Sequence, residues 1–205
     1  GGRSTWVARS RRCEMHLFDR DTSLLDHAYA RAEEGGAESL IQLHQIGAQG
    51  YQSLQGEPKS FDLIMTEGVS FEVDPFAHLA SWQTLVKNGG TIALVVPGVV
   101  RSDVPSEVTT LLSNDSDFTL GTLDQYHEKI AQLPNLKLVH QVTLAQYSWD
   151  EHYQNLGRCI RGLLKSGEVN MTDEIVTRAQ EELDWYRRFA RGQVFLQAFV
   201  LSVTH

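Results

Sequence analysis

A chain of 205 residues, 41% of them hydrophobic, is long enough to bury one substantial core. Its formal charge of -8 argues against nonspecific nucleic-acid binding, which needs clustered Lys and Arg to neutralise phosphates. No apolar run approaches the roughly 20 residues that span a bilayer, and Cys13 and Cys159 have neither metal-ligand spacing nor a disulfide framework, so the expectation is a cytoplasmic protein without metal or membrane partner.

In chain order, residues 4–11 read as a short helix behind Gly1 and Gly2, and its Arg-rich stretch reads as a solvated face. Residues 14–18 (EMHLF) form a strand closing on Asp19. Asp21, Thr22 and Ser23 then offer capping oxygens for a helix over residues 24–34. Leu24, Leu25, Ala28 and Ala32 would be its inner stripe, with Gly35 and Gly36 as the stop. Residues 39–46 (SLIQLHQI) alternate as a strand nearer the sheet edge, and residues 51–60 are a polar connection.

Residues 61–97 are the strongest block. FDLIMTEGV and TIALVVPG read as apolar strands, the second entered through a Lys87-Asn88-Gly89-Gly90 turn. Between them, residues 75–86 place Phe76, Leu79, Ala80, Trp82 and Leu85 at nearly helical spacing, which makes a βαβ unit. Uniformly apolar strands point to a parallel sheet covered on both faces, with ligands outside the carboxyl ends of the strands. Thr66, Glu67 and Gly68 lie at such an end.

Beyond Pro97 the spacing predicts helices over residues 104–112 and 123–133, the second started by Thr122. A long strand over residues 136–147 and another over 193–203 look like antiparallel partners. Residues 148–191 read as two helices, 149–165 and 172–190, with Thr172 and Asp173 as caps of the second. Two antiparallel strands need no crossover of that size, so this pair reads as an inserted lid.

The arrangement resembles a class I S-adenosylmethionine-dependent methyltransferase, of the small-molecule branch typified by ubiquinone and menaquinone biosynthesis. The residues carrying the likeness are Gly1-Gly2-Arg3-Ser4, Asp19, residues 61–68, the Lys-x-Gly-Gly turn with its strand, and the closing LKLVHQVTLAQYSWDEHY segment. The resemblance implies an α/β, Rossmann-like sheet, mostly parallel with an antiparallel C-terminal strand, helices on both faces and a helical insertion before the last strand. It implies one domain over residues 1–205. It also implies S-adenosylmethionine as cofactor, held by Gly1, Gly2, Asp19, Ala48, Gln49 and Glu67, and methyl transfer to a small-molecule acceptor.

A carboxylate at the end of the second strand of such a sheet can accept two hydrogen bonds from a ribose diol, which suits Asp19; its alternative is to cap a loop with Asp21. Glu67 could bind the cofactor's amino group, position the acceptor or act as a base. A base is needed only where the acceptor must lose a proton, and among His44, His127, His140 and His152 the last is best placed. His140, in mid-strand, reads as packing. Trp149, His152 and Tyr153 are the acceptor-binding candidates, with Trp185 and Tyr186 nearby.

Two departures stand out. The family's first strand and half of its Gly-rich loop have no counterpart ahead of Gly1. Either the sequence is part of a longer product, or another chain or segment fills the gap, or the neighbouring strands pair directly. Gly47-Ala48-Gln49 also stands where the family often has Gly-Asp. These departures keep open a catalytically silent binding or assembly module, with Trp185, Tyr186 and Arg187 at an interface and a homodimer among its forms. A nicotinamide-dependent oxidoreductase is disfavoured by the absence of a full G-x-G-x-x-G.

Overall fold

Alternating helix and strand signals near the start of the chain fold as a small α/β layer in the computed structural model, which describes residues 2–46, 59–67, 74–113, 118–144 and 146–205. The chain divides into two compact units, Gly1–Gln55 and Gly56–His205.

The first unit contains α1 (Gly2–Arg11), β1 (Met15–Asp19), α2 (Thr22–Glu34), a 3-10 turn (Glu38–Leu40) and β2 (Ile41–Gln45). β1 and β2 pair in parallel, from Met15 opposite Ile41 to Asp19 opposite Gln45. Ala8, Ala32, Ala37 and Ile41 form the buried core, with Met15, Leu17, Leu40 and Leu43 packed on it. Small alanines at these contacts let helix backbones lie close to the ladder, where larger side chains would overpack it. Asp21 caps α2 by accepting from the Ser23 backbone N–H at 2.8 Å. Two expectations fail here. Leu24 is 56% exposed, because the narrow two-stranded ladder covers only the Leu25, Ala28 and Ala32 stripe. The second strand begins at Ile41, because the preceding residues close a turn in which the Leu40 N–H donates to the carbonyl of buried Ala37.

The second unit contains β3 (Phe61–Glu67), α3 (Pro75–Leu85), β4 (Val86–Val99), α4 (Ser106–Ser113), α5 (Leu123–Ala131), β5 (Leu136–Leu144), α6 (Gln146–Ser166), α7 (Glu174–Trp185), a π-helical segment (Tyr186–Ala190) and β6 (Val194–Val203). Its sheet runs β3-β4-β6-β5; β3 and β4 are parallel, and β6 is antiparallel to both of its neighbours. The expected βαβ unit and the terminal antiparallel pair are therefore present. The Lys87 to Gly90 segment, read as a turn, instead belongs to β4 as an irregularity: Phe61 faces Val86, yet Leu63 faces Thr91. Gly89 permits this kink at φ +80°, a conformation costly for residues with a Cβ.

One face of this sheet is sealed by Ile92, Leu94, Phe199 and Leu201, all without solvent exposure. Phe76 of α3 and Tyr126 of α5 pack edge-on against Phe199, with ring centroids 6.3 and 6.2 Å away. Asp74 caps α3 by accepting from the Phe76 N–H at 2.9 Å, an arrangement worth about 1 kcal/mol, and Pro75 occupies the first turn where no N–H is needed. Trp82 is buried on α3, an effect of about 2–3 kcal/mol, whereas Ala80, expected inside, is exposed between the buried positions. α5 starts with a complete capping box of Thr122 and Gln125. The Tyr126 hydroxyl donates to the Pro97 carbonyl at 2.6 Å and accepts from the Gly121 N–H at 2.8 Å. A side chain on Gly98 would strike Phe195, so β4 needs glycine there.

Other expectations are corrected by tertiary contacts. Leu63 and Met65 are 49% and 50% exposed, so β3 is buried on one face only; it ends this sheet and has same-face neighbours on one side. β5 stops at Leu144, because burial of Trp149 and Tyr153 at helical spacing draws Gln146 to Ser148 into α6. The helix expected over residues 172–190 begins at Glu174 and changes to π geometry at Tyr186. The Asp173 carboxylate accepts from the Asn170 N–H and does not cap α7. His140, expected to pack, is exposed beside the β5 irregularity.

Candidate functional site

Among the cofactor candidates, Gly1, Ala48, Gln49 and the Glu67 side chain lie outside the described residues. The Glu67 backbone ends β3 opposite Val95, and Gly2 is the exposed first residue of α1. Asp19 stands at the carboxyl end of β1, where its Oδ1 accepts from the Asp21 backbone N–H at 3.0 Å. That contact is the loop-capping alternative, and it engages one oxygen. Among the described residues no hydrogen bond to Oδ2 is made, so an acceptor remains for a hydroxyl. The neighbouring Phe18 ring stacks on His44 at 4.6 Å, and His16 Nδ1 lies 2.9 Å from His44 Nε2. Burial first, then the His16 charge, lowers the His44 pKa, which keeps that ring neutral near pH 7.

The structure brings Trp149 and Tyr153 of α6 together with Tyr186. Tyr153 and Tyr186 stack at 4.0 Å, and Trp149 stacks on Tyr153 at 6.0 Å. Trp149 is 5% exposed, and among the described residues its indole N–H has no hydrogen-bond partner. Buried donors are nearly always satisfied, which makes this nitrogen, closed off from solvent, an exception. The Tyr153 hydroxyl donates to Glu182 at 3.1 Å; desolvation, then the Glu182 charge, raises its pKa. His152 is not part of the stack: it is exposed and touches Tyr153 edge-on at 4.9 Å. Trp185 is committed to packing, since its indole N–H donates to the Glu107 carbonyl at 2.8 Å. His127 is half-buried: it lies 2.6 Å from the Gln141 side-chain carbonyl oxygen and packs edge-on against Phe199 at 6.0 Å.

Sequence reasoning missed Asp150. Its carboxylate accepts from the Tyr186 hydroxyl at 2.8 Å and from Arg191 at 2.9 and 3.1 Å, while Gln146 donates to the same hydroxyl at 2.7 Å. The Arg191 and Tyr186 hydrogen bonds hold the Asp150 carboxyl below the usual range, and burial with the Asp150 contact pushes the Tyr186 hydroxyl up to about 12. Tyr186 therefore stays protonated as a donor. Asp150 lies within the quoted SWDEHY segment, but its partner Arg191 is 41 residues away.

No protein-family model and no curated protein sequence matches the chain. Solved structures do. YjhP from E. coli aligns with a TM-score of 0.74 at 20% identity, over 98% of this chain and 83% of that one. A SAM-dependent methyltransferase from Thiobacillus denitrificans, in complex with S-adenosyl-L-homocysteine, aligns at 0.70 and 17% identity over 98% and 79%. A Haemonchus contortus phosphoethanolamine N-methyltransferase, complexed with phosphomonomethylethanolamine and S-adenosylhomocysteine, aligns at 0.70 and 17% over 100% of this chain and 47% of that one. The chain has the class I methyltransferase fold, as the sequence resemblance implied.

Proposed function

We propose that this chain is an S-adenosylmethionine-dependent methyltransferase acting on a small-molecule acceptor. The observation that carries the reading is Asp19: an acidic residue at the carboxyl end of β1, with one oxygen tied to the loop and the other open, in a chain whose fold matches methyltransferases over nearly its whole length. The donor set suits the cofactor, because an ionised carboxylate with a spare oxygen accepts from a ribose hydroxyl.

When bound, S-adenosylmethionine supplies an electrophilic methyl group on a sulfonium centre, open to in-line displacement. Asp19 anchors the ribose. Glu67, ending β3, offers a further carboxylate to the cofactor's amino group or the acceptor. Trp149 and Tyr153, buried in their stack with Tyr186, back the acceptor's place beside exposed His152. His152 is available to take a proton from an acceptor that must lose one. Alignment and electrostatics account for most of the rate such a reaction needs.

Calorimetric titration with S-adenosylmethionine and S-adenosylhomocysteine tests the reading. Saturable binding, weakened in Asp19→Asn, is the expected result. Absence of heat at millimolar ligand with a folded protein would overturn it in favour of a silent binding or assembly module.

A further inference from the structure

The groove between α6 and α7 has a chemistry that the methyl-transfer reading does not use. Gln154, Arg158 and Arg161 recur on one stripe of α6, while Gln180, Asp184 and Arg187 recur at turn spacing from α7 into the π segment. These stripes enclose two adjoining hollows of about 290 and 200 Å³ that share Gly157, Arg161 and Arg187. Ile160, Leu164 and Leu183 provide an apolar floor. Gly157 is buried and brings no side chain, and the Arg161 guanidinium lies across it, with Nη1 3.4 Å from where a Cβ would stand.

The arginines are unspent. Neither Arg161 nor Arg187 has a hydrogen-bond or ion-pair partner among the described residues, and Arg158 reaches only the Asn155 side-chain carbonyl. Asp184 is the one carboxylate on the wall, and it pairs with neither. In a chain of net charge -8, three guanidiniums around one hollow set a local positive potential against the overall charge. Guanidinium forks match the oxygens of phosphate or carboxylate, and the apolar floor favours a ligand with a hydrocarbon body.

We infer that the α6–α7 groove binds a small molecule joining an oxyanion, phosphate or carboxylate, to an apolar group, with Arg161 and Arg187 gripping the anion over Gly157. Of the lining residues only Tyr153, at the edge of the smaller hollow, also belongs to the methyl-transfer reading; Arg161, Arg187 and the apolar floor are assigned to neither cofactor nor acceptor.

Phenyl phosphate, inorganic phosphate, benzoate and benzyl alcohol, each titrated into the full chain and followed by amide NMR, test the assignment. Phenyl phosphate should give saturable shifts at Gly157, Arg161, Gln180 and Asp184. Inorganic phosphate should bind the same set more weakly, and benzyl alcohol should leave it unmoved. Benzoate matching or exceeding phenyl phosphate would identify a carboxylate ligand; weaker benzoate binding would identify a phosphate. Arg161→Ala and Arg187→Ala, both on exposed side chains, should each weaken phenyl phosphate about tenfold, the loss of a charge-assisted contact. Gly157→Ala adds a methyl at ordinary contact distance from Leu183, so it keeps the fold and should weaken binding by narrowing the hollow. Absence of shifts with both anions, equal binding of benzyl alcohol, or shifts unchanged in the two arginine variants would overturn the proposal.

Discussion

Two carboxylates, one at the end of β1 and one at the start of α6, show how differently this fold treats the same group. Asp150 is saturated: Tyr186 and both nitrogens of the Arg191 fork fill its oxygens. Asp19 gives one oxygen to a backbone N–H and keeps the other. The saturated carboxylate holds helices in place, and the half-used one has capacity left for a ligand. Satisfaction of hydrogen-bonding potential separates the two roles better than exposure, since both side chains are intermediate in burial.

The contrast can be broken or sharpened experimentally. The largest expected effect is on the α6 side. Tyr153→Ala removes the centre of the Trp149, Tyr153 and Tyr186 stack and should cost about 3–5 kcal/mol in urea unfolding, because a buried aromatic leaves a cavity. Asp19→Asn keeps an oxygen for the Asp21 N–H but loses the charge, so S-adenosylhomocysteine affinity should fall about tenfold while unfolding stability moves by less than about 0.5 kcal/mol. A large stability loss in that variant would mean that Asp19, like Asp150, is structural. Tyr186→Phe removes the hydroxyl between Gln146 and Asp150 and should cost about 1 kcal/mol, with the ring stack retained.

The last test is acid. The Asp150 carboxyl titrates below its ordinary 3.8 in the folded state, so its contribution is present above that value and disappears as pH falls through the lower folded one. Stability measured from pH 5 downwards should therefore decline less steeply in Asp150→Asn than in the parent. An identical decline would remove Asp150 from the acid response.

What the sequence revealed follows the range of the forces involved. α2, α5 and the β3-α3-β4 unit were legible because their start signals and apolar spacing lie within a few residues, as with Asp21, Thr122 and Pro75. The β5 to α6 boundary was not legible: apolar residues recur through residue 147, and the contacts that favour helix there, Trp149 and Tyr153 on Tyr186 and the Gln146 hydrogen bond to its hydroxyl, depend on a residue far along the chain. Asp19 could be selected because strand ends are local signals. Asp150 could not, for its role depends on Arg191, and the groove arginines converge only once α6 and α7 are side by side.

The π segment after α7 fixes a register as well as a shape. The Arg191 N–H donates to the Tyr186 carbonyl at 2.9 Å, five residues back, so this turn holds one residue more than an α-helix would. Deleting one residue among 187–190 would let the turn relax to ordinary winding, because the Arg191 N–H would then stand four residues from the Tyr186 carbonyl and the chain beyond it would keep nearly its present direction. Inserting a residue there would instead turn the following chain by about 100° about the helix axis, carrying Arg191 away from Asp150 and β6 out of its register. This short stretch should thus tolerate the loss of one residue better than the gain of one.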